Sequence, residues 1–117
     1  MGFNFNGATF KGGVEVEGSL PTIPLTSVKS IFQQTGDTDY TVPAGKKWLV
    51  ISATLTARTA SPNTIQFNST YNLLSEATSG NTKHISGYPL MVLTAGQIIN
   101  IDLDGGLAVV TYYEVDA

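Results

Sequence analysis

The chain has no cysteine, one histidine and one tryptophan, and charged residues fill only 13% of its 117 positions. The missing cysteines exclude disulfides and thiolate metal sites, and leave the redox compartment open. A single histidine, His84, means that a histidine-based metal site would need carboxylate partners, and none are adjacent in the sequence. The formal net charge of −3 and only six Lys and Arg residues leave no clustered positive patch for phosphate, which disfavours nucleic acid. Lys46 and Lys47 form the one adjacent basic pair, and beside a turn such a pair is solvated. No apolar run approaches the roughly 20 residues of a membrane span. The glycine-rich N-terminus carries Lys11 and no apolar h-region, so no signal peptide is read there and synthesis in a cytoplasm is expected.

Hydrophobic residues make up 42% of the chain, enough for the core of a single domain. So little charge argues against a disordered tail and suits a Thr- and Asn-rich β surface, or one partly covered by other subunits. Residues 40–57 are the organising stretch. Pro43 and Gly45 mark a tight turn, with Gly45 free to take a positive φ. Beyond it Leu49, Ile51, Ala53, Leu55 and Ala57 alternate with Ser52, Thr54 and Thr56, while Trp48 and Val50 make the start apolar on both sides. Period two over most of ten residues predicts a long, half-buried strand.

Residues 1–25 have a different texture and are read as a separate N-terminal arm, with a sandwich domain over 26–117. Gly2, Gly7, Gly12, Gly13 and Gly18 recur, Pro21 and Pro24 close the segment, and Phe3, Phe5 and Phe10 alternate with polar residues. One reading is a loose terminus with an edge hairpin. The other is an arm that becomes ordered against a partner, with Phe3, Phe5 and Phe10 as partner-binding anchors.

The rest of the chain yields a series of strands. Residues 27–34 form a short strand, 36–39 a turn, and 40–42 a brief strand leading into Pro43. Residues 58–63 are loop; 64–68 alternate Ile65 and Phe67 with polar residues, and 71–74 are expected to continue that strand past a bend. Residues 75–82 are loop. Residues 88–93 form a strand beginning at or just after Pro89, 94–96 a turn, and 97–103 a strand with Ile99, Ile101 and Leu103 on one face. Asp104, Gly105 and Gly106 read as a hairpin turn, and 107–115 return with Leu107, Val109, Thr111, Tyr113 and Val115 facing one way. Short strands at regular spacing with Gly/Pro turns and no helical period predict an all-β antiparallel β-sandwich of about eight strands. Leu49, Ile51, Leu55, Ile65, Phe67, Ile99, Ile101, Val109 and Tyr113 are its expected core.

Nothing in the sequence reads as catalytic. Ser or Thr attack assisted by His84 would need a nucleophile arrangement, and there is no nucleophile-elbow motif, so a surface or loop-packing role is expected for His84. Asp37 and Asp39 form an Asp-x-Asp, and Asp102 with Asp104 opens like a calcium loop, but the twelfth position from Asp102 is Tyr113, not a glutamate. Both pairs are read as turn residues, with a bound cation as the lesser alternative. Asn68-Ser69-Thr70 fits a glycosylation acceptor, which carries meaning only in a secreted protein. Trp48, Tyr40, Tyr71, Tyr88, Tyr112 and Tyr113 could supply a sugar-stacking platform, although core or interface roles outweigh it. No metal, cofactor or catalytic residue is assigned, and the protein is not expected to be an enzyme.

Several stretches resemble a pattern found in small structural proteins of tailed bacteriophages: Tyr40-Thr-Val-Pro-Ala-Gly-Lys-Lys-Trp48, Tyr88-Pro-Leu90, Leu93-Thr-Ala-Gly96 with Ile98 and Ile101, and Tyr112-Tyr-Glu-Val115. The similarity runs from Tyr40 onward and leaves out residues 1–25. It implies a jelly-roll-like β-sandwich serving as a head decoration, fibre or tail module, often trimeric. The expectation is a non-enzymatic virion protein, foremost a capsid decoration (cement) protein, with partners among its own copies (a homo-oligomer, trimer favoured) and capsid or tail proteins. Neither nucleic acid nor membrane is expected as a partner. The alternative is a carbohydrate-binding β-sandwich of a fibre or tail used in host recognition.

Overall fold

The long strand expected after Pro43 forms the spine of the domain. In the computed structural model, which describes residues 28–68 and 71–117, it is β3 (Lys46–Ala57). The other strands are β1 (Val28–Gln33), β2 (Gly36–Thr41), β4 (Asn63–Phe67), β5 (Tyr71–Glu76), β6 (Thr82–Thr94), β7 (Ile98–Leu103) and β8 (Gly106–Asp116). They form two four-stranded antiparallel sheets, the first in the order β1-β8-β3-β6 and the second in the order β2-β7-β4-β5. Successive pairs β1·β8, β2·β7, β3·β6 and β4·β5 are those of one long antiparallel hairpin rolled up, which is the jelly roll. The fold class expected from strand spacing is therefore the fold observed.

The core lies between the sheets. Leu55, Ala53, Val50, Val110 and Ala108 of the first sheet, with Ile65 and Ile101 of the second, are fully buried. Strand β3 does not keep one face inward throughout. Trp48 and Val50 point into the core, then Ala53, Leu55 and Ala57 do, because the register shifts between Val50 and Ser52. An extra residue at a bulge reverses the side-chain alternation beyond it. Leu49 and Ile51, expected in the core, are therefore only half-buried. Opposite this bulge, β6 pairs through Met91 and Ser86, so residues 87–90 loop out of the ladder.

Strand β8 alternates regularly, but with the opposite face inward from the one expected. Ala108, Val110 and Tyr112 face the core, while Val109 lies on the outer face, half-buried. Tyr113 is buried as expected, but on the outer face, where the Tyr88 ring packs edge-on at 6.4 Å. Phe67 is also half-buried, packed against the core from the end of β4. Leu55, Ile65, Ile99 and Ile101 are buried as expected.

Four boundaries differ from the sequence reading. Residues 36–39 belong to strand β2 and are not a turn; there Asp37 and Asp39 face outward beside Asn100 of β7. Residues 71–74 do not continue β4. Asn68 takes φ +52, its Oδ1 accepts the Ile98 N–H, and the chain doubles back as β5 against β4. Strand β6 begins at Thr82, not near Pro89, and Pro89 is tolerated because it lies in the 87–90 segment that makes no ladder pairing with β3. Asp104-Gly105-Gly106 makes no hairpin, because β7 and β8 lie in different sheets. Glycine is needed there for close approach: a Cβ on Gly106 would sit 2.6 Å from the Thr56 carbonyl oxygen.

Most connections cross from one sheet to the other, and two of them meet at one end. Gly45 (φ +79) and Gly96 (φ +87) take the positive φ their turns require. Between these turns the Val42 N–H donates to the Gln97 carbonyl (2.9 Å), and the Gly96 N–H donates to the Val42 carbonyl (3.0 Å). At the opposite end the buried Gln33 joins the sheets. Its Nε2 donates to the carbonyls of Gly36 (2.7 Å) and Ile101 (3.0 Å), and its Oε1 accepts from the Tyr40 hydroxyl (2.8 Å).

Candidate interaction surfaces

With the core accounted for, the two outward faces of the sandwich are the places where function can reside, and they are chemically opposite. The outer face of the second sheet is polar. Cross-strand pairing places Asp37 beside Asp102, and Asp102 beside Thr64; the next row runs Asp39, Asn100 and Gln66. The Asn100 side-chain amide donates one hydrogen to Asp37 and one to Asp39, both at 2.7 Å, and Gln66 Nε2 donates to Asn72 Oδ1 at 2.7 Å. These residues line a shallow, open cleft of about 450 Å³ formed by Asp37, Asp39, Gln66, Asn100 and Asp102. Fold topology thus brings Asp102 beside Asp37 and Asp39, from which it is far in sequence, whereas Asp104 lies in the β7–β8 connection. Among the described residues no group of three or more His, Cys, Asp or Glu side chains is arranged to hold a metal ion.

The outer face of the first sheet carries apolar residues instead. Val28 pairs with Tyr113, Tyr113 with Leu49, and Leu49 with Val92, so one apolar row crosses all four strands. Tyr88, 75% exposed, packs beside Tyr113, and Val92 is 46% exposed. The next row is made of hydroxyls: Ser30, Thr111, Ser52 and Ser86. The row after that runs Phe32, Val109, Thr54 and His84, with Phe32 59% exposed. Soluble monomers seldom expose several large apolar side chains on one face, as Phe32, Tyr88 and Val92 are here, so this face is the stronger candidate for a contact.

His84 lies on this exposed surface, as expected, with its Nδ1 2.7 Å from Thr54 Oγ1. The six candidate aromatics do not converge on one platform. Trp48 and Tyr112 stack in the core at 4.3 Å, Tyr40 bonds to Gln33, Tyr88 and Tyr113 lie on the apolar face, and Tyr71 packs edge-on to Phe67. The candidate anchors Phe3, Phe5 and Phe10 fall outside the described residues.

The ion pairs among the described residues involve Glu114, Asp116 and Glu76, apart from the aspartates of the polar face. Glu114 accepts from Trp48 Nε1 and from Lys29 Nζ, both at 3.0 Å, and these two hydrogen bonds hold its carboxyl below the ordinary range. Glu76 accepts from the backbone N–H groups of Thr78 (2.9 Å) and Ala77 (3.1 Å), which lower it in the same way, helped by Lys83 at 3.7 Å. Such contacts lock strand ends and loops; they form no acid–base pair poised over a cleft.

No family model, curated protein or solved structure matches this chain.

The row organisation of each face was not legible in the sequence, because it depends on which strands neighbour one another. One signal was available: Val92 and Leu49 stand within apolar runs that leave no polar partner for the outward face, which marks a strand apolar on both sides.

Proposed function

We propose that this protein is a non-enzymatic structural protein of a bacteriophage virion, foremost a capsid decoration (cement) protein that attaches to the particle and stabilises it. The observation that carries this reading is the outward apolar row Val28–Tyr113–Leu49–Val92 on the sandwich, in a chain whose sequence also carries Phe3, Phe5 and Phe10. A surface of this kind serves cohesion between subunits better than chemistry on a small molecule. The jelly-roll arrangement is shared by capsid and lectin domains, so fold alone does not choose between them. The likeness of the residue 40–48, 88–96 and 112–115 stretches to phage structural proteins is what favours the virion. On this reading the protein is made in the host cytoplasm, assembles as a homotrimer through capsid-bound or mutual contacts, and resides in the particle. Adding purified full-length protein to capsids that lack it tests the proposal: saturable binding and a raised capsid melting temperature are expected. Absence of binding to heads, tails and fibres alike would refute it.

A second reading rests on a different observation, the polar cleft around Asn100. Paired carboxylates and amides on a sheet face are suited to hydrogen-bonding sugar hydroxyls, which fits a carbohydrate-binding module of a fibre or tail. Among the described residues no aromatic side chain lines that cleft to stack against a sugar ring, and this ranks the reading second. A glycan array distinguishes the two: specific binding abolished by Asn100→Ala would favour the sugar module.

A further inference from the structure

Among the described residues each sheet ends in two strands with a neighbour on one side only, β1 and β6 in the first sheet and β2 and β5 in the second. Three of these edges carry features that discourage pairing with another chain. Strand β2 bears Asp37 and Asp39, β5 carries an extra residue, Leu73, at its bulge against β4, and β6 is interrupted at residues 87–90 around Pro89. Strand β1 has none of them. It pairs with β8 without a register shift, it lacks proline, and its one charge, Lys29, is held by Glu114 at 3.0 Å. Its Phe32 side chain is 59% exposed.

The hydrogen-bond ladder fixes which residues of β1 address the open side. The Ala57 N–H donates to the Asn81 carbonyl (2.9 Å) and the Ala57 carbonyl accepts from the Gly80 N–H (2.8 Å), so Ala57 bonds toward β6. The Arg58 N–H donates to the Gly105 carbonyl (2.8 Å), toward β8. Bonding direction alternates along a strand, so Thr56 and Thr54 bond to Leu107 and Val109 of β8. Ala108 and Val110 are then the residues of β8 that bond to β1, through Gln33 and Ile31. Val28, Ser30 and Phe32 therefore turn their N–H and carbonyl groups to the open edge.

That edge is complementary to itself. A second copy related by a two-fold axis at Ser30 sets Ser30 opposite Ser30 and Val28 opposite Phe32 in both directions, so all three residues of each strand form hydrogen-bonded pairs. A register displaced by two residues loses one of the three pairs and sets Ser30 against an apolar side chain. In the self-complementary register the hydroxyl row Ser86, Ser52, Thr111, Ser30 runs on through the axis into its own copy, and Val28 meets the exposed Phe32. We infer that β1 docks a second copy of this chain by antiparallel strand addition about a two-fold axis at Ser30, joining two first sheets into one. The contact leaves Tyr113, Leu49 and Val92 outside it, so it adds to the outward contact proposed above and does not depend on the virion reading.

The chain has no cysteine, so single thiols report this contact in the full-length protein. The Cα atoms of a hydrogen-bonded pair lie about 5.5 Å apart, within disulfide reach. Under diamide oxidation at micromolar concentration, Ser30→Cys should form covalent dimers at least about tenfold faster than Asn72→Cys on the exposed β5 edge, because paired thiols have a millimolar effective concentration. When Val28→Cys chains are mixed with tagged Phe32→Cys chains, the mixed dimer should exceed both like pairs, whose thiols stand about 14 Å apart. Equal rates at 30 and 72, or an excess of like pairs, would overturn the inference. Sedimentation reads the same contact without thiols. Phe32→Lys, which sets a charge on the edge, should halve the sedimenting mass with unchanged circular dichroism, whether or not a three-fold contact is also present. A wild-type mass of 12.4 kDa, or a mass that Phe32→Lys leaves unchanged, overturns the inference as well.

Discussion

Leu49 and Leu55 offer a sharp test of the bulge in β3, because they are the same residue type on one strand, both at odd positions. Simple alternation puts them on one face, and equal costs would follow from truncating either. The register shift between Val50 and Ser52 separates them: Leu55 is 0% exposed between the sheets, while Leu49 faces outward and is half-buried. Leu55 pairs with Ala108 across the ladder and has Ala53 and Ala57 two residues away on the same face. Those neighbours are too small to fill the space a truncated Leu55 would leave, so Leu55→Ala should cost about 2–5 kcal/mol, toward the upper part of that range. Leu49→Ala removes a side chain already partly in water and should cost about 1 kcal/mol. Urea unfolding read through the fluorescence of Trp48, the single tryptophan, and repeated by circular dichroism gives both values. The two midpoints should differ while the slopes agree. In a domain of this size a gap of about 2 kcal/mol corresponds to roughly 8 °C or more in melting temperature. Costs within about 0.5 kcal/mol of each other, or a larger cost for Leu49, would refute the inversion of the strand face.

Three further outcomes follow from single contacts. Gly106→Ala places a Cβ 2.6 Å from the Thr56 carbonyl oxygen, a backbone atom that cannot swing away, so a loss of about 1–3 kcal/mol is expected in thermal unfolding. Asn63 is fully buried, donates to the carbonyls of Ser61 and Glu76, and accepts the Gly105 N–H; Asn63→Ala strands those groups and should cost about 1–3 kcal/mol in urea. Glu114 and Glu76 both have carboxyls lowered from 4.5 in the folded state, so their contribution is fully present above that value and is lost as pH falls through the lowered range. The melting temperature should therefore drop on acidification below about pH 4.5, and the drop should be smaller in Glu114→Gln.

The fold class and most of the strands were determined by the sequence itself. Period-two alternation in residues 97–103 and 64–67 marked strands whose inward members, Ile99, Ile101 and Ile65, are buried as expected. Gly45 and Gly96 declared their turns because a positive φ is a local requirement that only backbone chemistry decides. What the chain could not declare were the features set by non-local neighbours. A bulge appears only when a partner strand defines the register, so the faces of Leu49 and Ile51 were inverted in the sequence reading, and the face of Val109 was set by which side of β8 meets the second sheet. Gly105-Gly106 looks the same in sequence whether it closes a hairpin or crosses between sheets; the approach of Thr56 and Thr59 decides the matter. The candidate surfaces belong to this second class. Asp37, Asp39, Asn100 and Asp102 form one polar cleft, and Val28, Tyr113, Leu49 and Val92 one apolar stripe, only because β2 lies beside β7 and β1, β8, β3 and β6 lie side by side. Local periodicity specifies which residues alternate, whereas strand order, an outcome of rolling the whole hairpin around one core, specifies which of them meet.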